Sequence, residues 1–222
     1  MPESADNTAP RGLKITEIFR SLQGEADTAG MPTVFVRLTG CPLRCRYCDT
    51  AYAFHGGQWM ALEEVVQKVA AFDTRHVCVT GGEPLAQRGC AELLRRLCDL
   101  GLRVSVETSG AMPLQGLDPR AVLVVDVKTP ESGEEGRNRY GELLQLRVTD
   151  LVKFVVCSRA DYEWSRAKLH ELRLADRCTV LFSPSHEQLS ARELADWVLE
   201  DQLPVRFQIQ LHKYLWGNVP GK

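Results

Sequence analysis

Short apolar runs alternate with amphipathic helical patterns along most of this chain of 222 residues. The apolar runs predict strands at residues 33–38, 76–80, 103–107, 122–127, 152–156, 179–182 and 205–210. Apolar residues spaced three and four apart predict helices between them, at residues 62–69, 90–100, 162–174 and 191–199. This alternation indicates parallel strands joined by crossover helices. Because a closed eightfold barrel needs about 250 residues, we predict an α/β fold with a partial barrel.

Composition indicates an ordinary globular protein, with 44% hydrophobic and 25% charged residues. No composition shift marks a second domain, so we predict a flexible tail at residues 1–12, one domain at 13–222 and a polar surface loop at 129–139. The net charge of -2, without a block of Lys or Arg, argues against nucleic acid as a partner. No apolar run is long enough to span a membrane, and the polar start lacks a signal sequence. We therefore expect a cytoplasmic protein with a small-molecule substrate.

Three cysteines, Cys41, Cys45 and Cys48, follow each other with C-x3-C-x2-C spacing. A structural zinc site normally takes four protein ligands, and an ordinary iron-sulfur cluster takes four cysteines. Three thiolates therefore predict a cluster with one iron open to a further ligand. The alternative is a zinc site completed by His55, in a zinc-stabilised binding module.

The other five cysteines occur in strand-like runs or on the apolar stripe of a predicted helix. Free cysteine in such places behaves as a small hydrophobic residue. We therefore predict that five thiols are buried by packing, namely Cys78, Cys90, Cys98, Cys157 and Cys178.

A second motif, Thr80-Gly81-Gly82-Glu83-Pro84, directly follows the predicted strand at residues 76–80. Parallel α/β folds bind ligands at the carboxyl ends of their strands. Two glycines would let the backbone approach a ligand closely, and Glu83 with the exposed amides would offer polar partners. A simple strand-to-helix turn would also use Gly and Pro here. The motif alone therefore does not distinguish a ligand-binding turn from a structural one.

In this order and spacing, the triad and the Gly-Gly-Glu-Pro motif resemble the radical S-adenosylmethionine (SAM) superfamily. The resemblance implies a partial, modified (β/α)6 TIM-like barrel and a 4Fe-4S cluster on Cys41, Cys45 and Cys48, with SAM chelating the open iron. It also implies that an electron from the cluster cleaves SAM to a 5′-deoxyadenosyl radical, which takes a hydrogen atom from the substrate. The SAM-binding residues that it implies are Tyr47, Cys48, Asp49, Gly82, Asp126, Val127, Lys128, Ser183, Pro184, Ser185 and His186.

Segments around these motifs resemble one family of the superfamily, the 7-carboxy-7-deazaguanine synthases. They are residues 19–25, 35–37, 48–50, 107–110, 126–130 and 211–214. The resemblance implies a carbon-nitrogen lyase of 7-deazapurine (queuosine) biosynthesis, which converts 6-carboxy-5,6,7,8-tetrahydropterin to 7-carboxy-7-deazaguanine with loss of ammonia. It further implies Thr50 as a Mg²⁺ ligand and a substrate site formed by Leu22, Gln23, Gly24, Arg37, Thr80 and His212.

The residues themselves leave some of these roles open. Arg37 interrupts an apolar strand and needs a carboxylate partner, which either the substrate or a structural Asp or Glu would supply. Thr50 would serve equally as a helix cap, and His212 as an ordinary histidine at a strand end.

The resemblance also implies a flavodoxin or ferredoxin as electron donor and a homodimer. Two positions depart from the family pattern: Ala26 stands where relatives often have glycine, and residues 216–222 extend past the His-Lys-Tyr segment. We therefore expect a slightly different loop backbone at Ala26. We do not carry over from relatives a contact between Pro220 and the substrate. A rival enzyme with the same two motifs is an activase that places a radical on a glycyl-radical enzyme.

Overall fold

The computed structural model describes residues 12–222, which form a nine-stranded sheet with six α-helices. The strands are β1 (Gly12–Leu22), β2 (Pro32–Leu38), β3 (Gln58–Ala61), β4 (His76–Gly81), β5 (Arg103–Thr108), β6 (Val122–Val127), β7 (Leu151–Val156), β8 (Thr179–Pro184) and β9 (Arg206–Phe207). The helices are α1 (Leu62–Ala70), α2 (Cys90–Asp99), α3 (Tyr140–Leu143), α4 (Arg159–Glu171), α5 (Ala191–Glu200) and α6 (Leu211–Trp216).

The strand order is β3-β1-β2-β4-β5-β6-β7-β8-β9, so the sheet has two edges and does not close. Strand β1 runs antiparallel to β2 and β3, whereas β2 and β4 to β9 are parallel to one another. Six full parallel strands, β2 and β4 to β8, confirm the predicted partial (β/α)6 barrel. The two-residue β9 adds a short seventh strand.

Alternate residues of the parallel strands face opposite sides of the sheet, as the strand period of two requires. On the outer side, Val residues such as Val77, Val79 and Val125 pack with the apolar stripes of the helices in the main core. On the inner side, polar residues follow the same strands and line a cavity, among them Thr80 and Asp126. The outward-facing residues of the strands therefore form the core, and the inward-facing residues line the cavity.

Four elements were not predicted from the sequence: β1, β3, α3 and α6. The predicted strand at 205–210 was wrong outside Arg206–Phe207, since only three residues separate this short strand from α6. The predicted tail at 1–12 lies outside the described residues except for Gly12, which pairs with Ala61 of β3 and so belongs to the sheet.

The segment 129–139 is not a plain surface loop as predicted. It contains two short 3₁₀ turns, at Pro130–Ser132 and Glu135–Arg137, and Thr129 and Ser132 are buried. The Thr129 hydroxyl donates to the Val155 carbonyl at 3.1 Å, which ties the segment to β7.

All eight cysteines are free thiols, and the structure confirms the predicted burial of five. Cys90, Cys98 and Cys178 belong to the main core, and Cys78 and Cys157 are buried elsewhere. Within the described part of the chain, every helix is too short or too polar to cross a membrane.

Candidate active site

A cavity of about 590 Å³ lies on the inner face of the sheet, at the carboxyl ends of the parallel strands. It contains all six residues that the sequence suggested for substrate, together with the cysteine triad and Thr50. Of the residues suggested for SAM, it contains Tyr47, Cys48, Asp49, Gly82, Asp126, Lys128, Ser185 and His186. The remaining three lie off the wall: Val127 packs in the main core, and Ser183 and Pro184 are buried on β8.

The thiols of Cys41, Cys45 and Cys48 share the loop after β2, and each is only partly exposed. Burial raises the pKa of all three, that of Cys45 to about 11, although the ammonium of Lys128 acts in the opposite direction. Metal binding would supply the free energy to deprotonate them. His55, the fourth ligand of the zinc alternative, is exposed and does not line the cavity.

The three thiols fit a cluster better than a single ion. Among residues 12–222, no three His, Cys, Asp or Glu side chains lie close enough together to hold one metal ion. A four-iron cluster separates its thiolate ligands more widely, and it leaves one iron without a protein ligand when only three are supplied.

The glycines of the Thr80–Pro84 motif bring two segments of backbone together. A β-carbon at Gly81 would lie 2.3 Å from the Leu38 carbonyl oxygen, and one at Gly82 would lie 2.2 Å from that of Gly40. The Gly82 and Glu83 amides donate to these same carbonyls at 3.1 and 2.8 Å. Close approach to the loop that carries the triad therefore explains both glycines.

Glu83 is completely buried, and its carboxylate is used inside the protein. It accepts hydrogen bonds from the Leu85 amide at 2.9 Å, the Thr108 hydroxyl at 2.9 Å, and the amide and hydroxyl of Ser109 at 2.7 and 2.5 Å. The interpretation of Glu83 as a polar partner for a ligand was wrong. Its carboxylate instead joins the turn after β4 to the end of β5.

The loop of Gln23, Gly24 and Glu25 is held by α6. A β-carbon at Gly24 would lie 2.0 Å from Nδ1 of His212, and the Leu211 amide donates to the Gly24 carbonyl at 3.0 Å. His212 is therefore a helical residue packed on this loop, and its interpretation as a strand-end histidine was wrong. Burial lowers the pKa of His212, against the opposing effect of Glu25 and Asp49.

Ala26 keeps a left-handed backbone, with φ of 63°, at the position where a glycine would be unstrained. The amide group of Gln208 fixes it: Oε1 accepts from the Ala26 N–H at 2.9 Å, and Nε2 donates to the Ala26 carbonyl at 2.8 Å. These two hydrogen bonds from Gln208 therefore hold the left-handed backbone of Ala26, the residue that departs from the family pattern.

Arg37 has a structural carboxylate as its partner. Its Nε donates to Oε1 of Glu17 at 2.7 Å, and the Tyr52 hydroxyl donates to the same oxygen at 2.8 Å. The guanidinium lies 5.8 Å from the ring centres of Phe19 and Tyr52. Within residues 12–222 its two terminal nitrogens make no hydrogen bond, so they stay available to an anion in the cavity.

Glu107 lies on the cavity wall beside the predicted substrate residues, although sequence reasoning gave it no role. Its carboxylate accepts from the Thr80 hydroxyl at 3.1 Å and from Nε2 of Gln23 at 3.4 Å. The sequence could have indicated a role for Glu107, since this residue begins the family-like segment 107–110. It also occupies an inward position of β5.

Thr50 directs its hydroxyl to a neighbouring carboxylate and makes no helix-capping hydrogen bond. It donates to Oδ1 of Asp49 at 2.7 Å, and Lys213 lies 3.2 Å from Oδ2 of Asp49. Burial acts to raise the pKa of Asp49, but the Thr50 hydrogen bond and the charge of Lys213 outweigh it and lower that pKa. The oxygen of Thr50 keeps lone pairs for a hard cation.

Two lysines form a buried charge network on the same wall. Lys128 lies 3.1 Å from Oδ2 of Asp126 and 5.8 Å from the ring centre of Tyr47. Lys153 lies 2.5 Å from Oε2 of Glu25 and 3.5 Å from Oδ2 of Asp126. Sequence reasoning missed Lys153, which is the single charged residue in the apolar run of β7.

The end of the chain folds back over the cavity. Residues Asn218, Val219, Pro220, Gly221 and Lys222 line it, and Nζ of Lys213 donates to Oδ1 of Asn218 at 2.8 Å. Helix α6 ends at Trp216, and Pro220 beyond it lies on the cavity wall, while a contact of Pro220 with substrate stays untested.

Comparisons with protein families, with individual proteins and with solved structures agree with one another. A family profile described as the Radical SAM superfamily matches residues 35–127. The 7-carboxy-7-deazaguanine synthase of Chlorobaculum tepidum is 45% identical, covering 92% of this chain and 94% of that protein. The synthase of the same name from Koribacter versatilis is 44% identical, covering 92% and 97%. The crystal structure of QueE from Escherichia coli shares the fold, with a TM-score of 0.71, 22% identity and coverage of 90% of this chain and 95% of that one.

Proposed function

The chain belongs to the 7-carboxy-7-deazaguanine synthase family of radical SAM enzymes, and on this premise we propose that it converts 6-carboxy-5,6,7,8-tetrahydropterin to 7-carboxy-7-deazaguanine with loss of ammonia. This makes it a carbon-nitrogen lyase of 7-deazapurine (queuosine) biosynthesis. The observation that carries the proposal is one cavity whose wall contains both the thiol triad and the polar residues suggested for a pterin.

Cys41, Cys45 and Cys48 would hold the 4Fe-4S cluster, and SAM would lie along the wall that contains Tyr47, Gly82 and Asp126. When bound, the cluster and SAM together supply a 5′-deoxyadenosyl radical. The tail at residues 218–222 and the loop at 22–24 contribute to the wall around this space.

The substrate would be oriented by two groups of side chains. The free terminal nitrogens of Arg37 suit the carboxylate of the pterin, because a guanidinium pairs with a carboxylate in a bidentate manner. Two strands along the sheet, on β5, Glu107 presents a carboxylate that accepts a hydrogen bond from the amide of Gln23, and this pair suits the amide and amine edge of a pterin ring. A cavity of about 590 Å³ favours a small molecule over the protein substrate of a glycyl-radical activase.

Thr50 would provide an oxygen ligand to Mg²⁺ beside the substrate, in keeping with the preference of this ion for oxygen donors. A flavodoxin or ferredoxin would supply the electron, and the active form would be a homodimer. These three parts of the proposal rest on the family resemblance.

An anaerobic assay with reductant, SAM, Mg²⁺ and 6-carboxy-5,6,7,8-tetrahydropterin tests the proposal. We expect 7-carboxy-7-deazaguanine to form and Cys45→Ala to abolish it together with 5′-deoxyadenosine. Intact cluster with no deazaguanine product would reject the synthase assignment. A colourless protein containing zinc and no iron would instead favour the zinc-stabilised module.

A further inference from the structure

Lys153 occupies the middle of β7. All residues of this strand are buried, and the five besides Lys153 are apolar. Only 7% of Lys153 is exposed, and its side chain faces the cavity. Burying an ammonium group is costly unless it is paired, so this position requires an explanation.

The ammonium of Lys153 joins two carboxylates from different parts of the site. Glu25 belongs to the loop next to the predicted substrate residues, and Asp126 is the penultimate residue of β6, which carries predicted SAM residues. Burial alone would lower the pKa of Lys153, but Glu25 and Asp126 outweigh that effect and hold it well above its usual range. The charge of Lys153 is therefore maintained.

Each carboxylate uses one oxygen for Lys153 and leaves the other unpaired. Within residues 12–222, Oε1 of Glu25 and Oδ1 of Asp126 are buried atoms without a hydrogen-bond partner. Only 6% of Glu25 is exposed, yet it lines the cavity. A buried acceptor without a partner costs free energy in a folded protein, and a ligand with N–H groups would satisfy it.

We propose that Lys153 is a positioning residue: its ammonium binds Oε2 of Glu25 so that Oε1 is presented to the cavity as an acceptor for the ring N–H groups of the pterin. This inference rests on the proposed function. Lys153 need not touch the substrate, because its effect passes through Glu25. Without the ammonium, Asp126 would keep Lys128 at 3.1 Å, whereas Glu25 would have no paired cation within residues 12–222 and would lose its fixed orientation.

The test measures binding of 6-carboxypterin, an oxidised analogue without the hydrogen to be abstracted, by fluorescence titration of the cluster-loaded protein with SAM and no reductant. We expect Lys153→Met to weaken binding about tenfold, the loss typical of a hydrogen bond to a charged group. Lys153→Arg should recover part of this loss, since it restores the charge. Lys168→Met, which removes a lysine paired with Glu171 outside the cavity, should bind as the wild type does.

A double-mutant cycle separates positioning from a general structural role. In a Glu25→Gln background, Lys153→Met should change binding less than about twofold, because the residue through which Lys153 acts is already altered. A further tenfold loss in that background would overturn the proposal. If the single Lys153→Met variant does not fold, pterin binding is compared between Glu25→Gln and the double variant that carries Glu25→Gln and Lys153→Met. This comparison tests the proposal by the same criterion.

Failure of this inference differs from failure of the proposed function. If the wild type neither binds 6-carboxypterin nor forms the deazaguanine, the substrate assignment fails, and the positioning proposal fails with it. If the wild type does both while Lys153→Met binds the pterin equally well, only the role of Lys153 is rejected.

Discussion

Gly24 and His212 are in such close contact that a β-carbon on Gly24 would lie 2.0 Å from Nδ1 of the imidazole. The two residues come from opposite ends of the chain, and both line the cavity. The glycine is therefore required by the histidine, independently of any contact with substrate.

Gly24→Ala should displace His212 and the start of α6, and with them the substrate loop. A shift of about 1 Å at an active site can cost about a hundredfold in rate, so we expect kcat/KM to fall by that order. Steady-state kinetics at saturating SAM measure it. Gly136→Ala is the matched control, since a β-carbon at Gly136 meets no atom within 4 Å. Equal kinetics for both variants would contradict the interpretation.

Gln208→Leu should destabilise the protein by about 2 kcal/mol, because it leaves the buried N–H and carbonyl of Ala26 without partners. The KM for the pterin should rise, since Ala26 follows the substrate loop directly. Urea unfolding measures the first effect, with Gln67→Leu on the exposed face of α1 as control. A loss of stability no larger than in the control would argue against the role of Gln208.

Glu83→Gln should lower the free energy of unfolding by about 2 kcal/mol. An amide retains one acceptor oxygen, whereas the native carboxylate accepts four hydrogen bonds, two of them from Ser109. Glu64→Gln, which removes an exposed charge paired with Lys68, should cost less than about 0.5 kcal/mol. Similar unfolding curves for the two variants would show that the buried carboxylate does not stabilise the turn.

Thr50→Ala should raise the Mg²⁺ concentration for half-maximal activity about tenfold, because it removes the proposed oxygen ligand. Thr50→Ser retains that oxygen and should require little more Mg²⁺ than the wild type. Titration of Mg²⁺ at saturating SAM and substrate distinguishes them. An unchanged Mg²⁺ requirement in Thr50→Ala would exclude Thr50 as a ligand.

Stability should fall as the pH drops below about 6.5, the ordinary pKa of histidine. Burial lowers the pKa of His212 in the folded state, so the unfolded chain takes up a proton first, and acid favours unfolding until the folded-state pKa is reached. Burial lowers the pKa of His76 in the same direction. His212→Gln should therefore reduce the slope of unfolding free energy between pH 7 and pH 5.5, and His76→Gln should remove part of the remainder. An unchanged slope in His212→Gln would contradict this.

Much of the fold could be predicted from the sequence because its strands are buried on both faces and read as continuous apolar runs. Strand β6, for example, was predicted with its observed bounds. Strand β1 was missed because its antiparallel, partly exposed position mixes charged and apolar residues such as Lys14 and Glu17. The helix α6 was missed because none of its residues is buried, so it lacks a strong apolar stripe.

The site was harder to predict where a residue acts through other parts of the chain. The triad is local, and spacing alone identified it. The partners of Glu83, Arg37 and Lys153 are distant in sequence, and nothing local to Lys153 names Glu25, which lies 128 residues away. Spacing within a motif carries no information about such pairs.

The hydrogen bonds between Ala26 and Gln208 join residues 182 positions apart. During synthesis the ribosome makes the triad early, but the residues that fix the substrate loop emerge near the end. A prematurely terminated chain that ends before position 208 would carry the cysteines without an organised loop for the pterin. Such a fragment could take up iron and sulfide, yet it would have no means of directing a radical to the correct molecule.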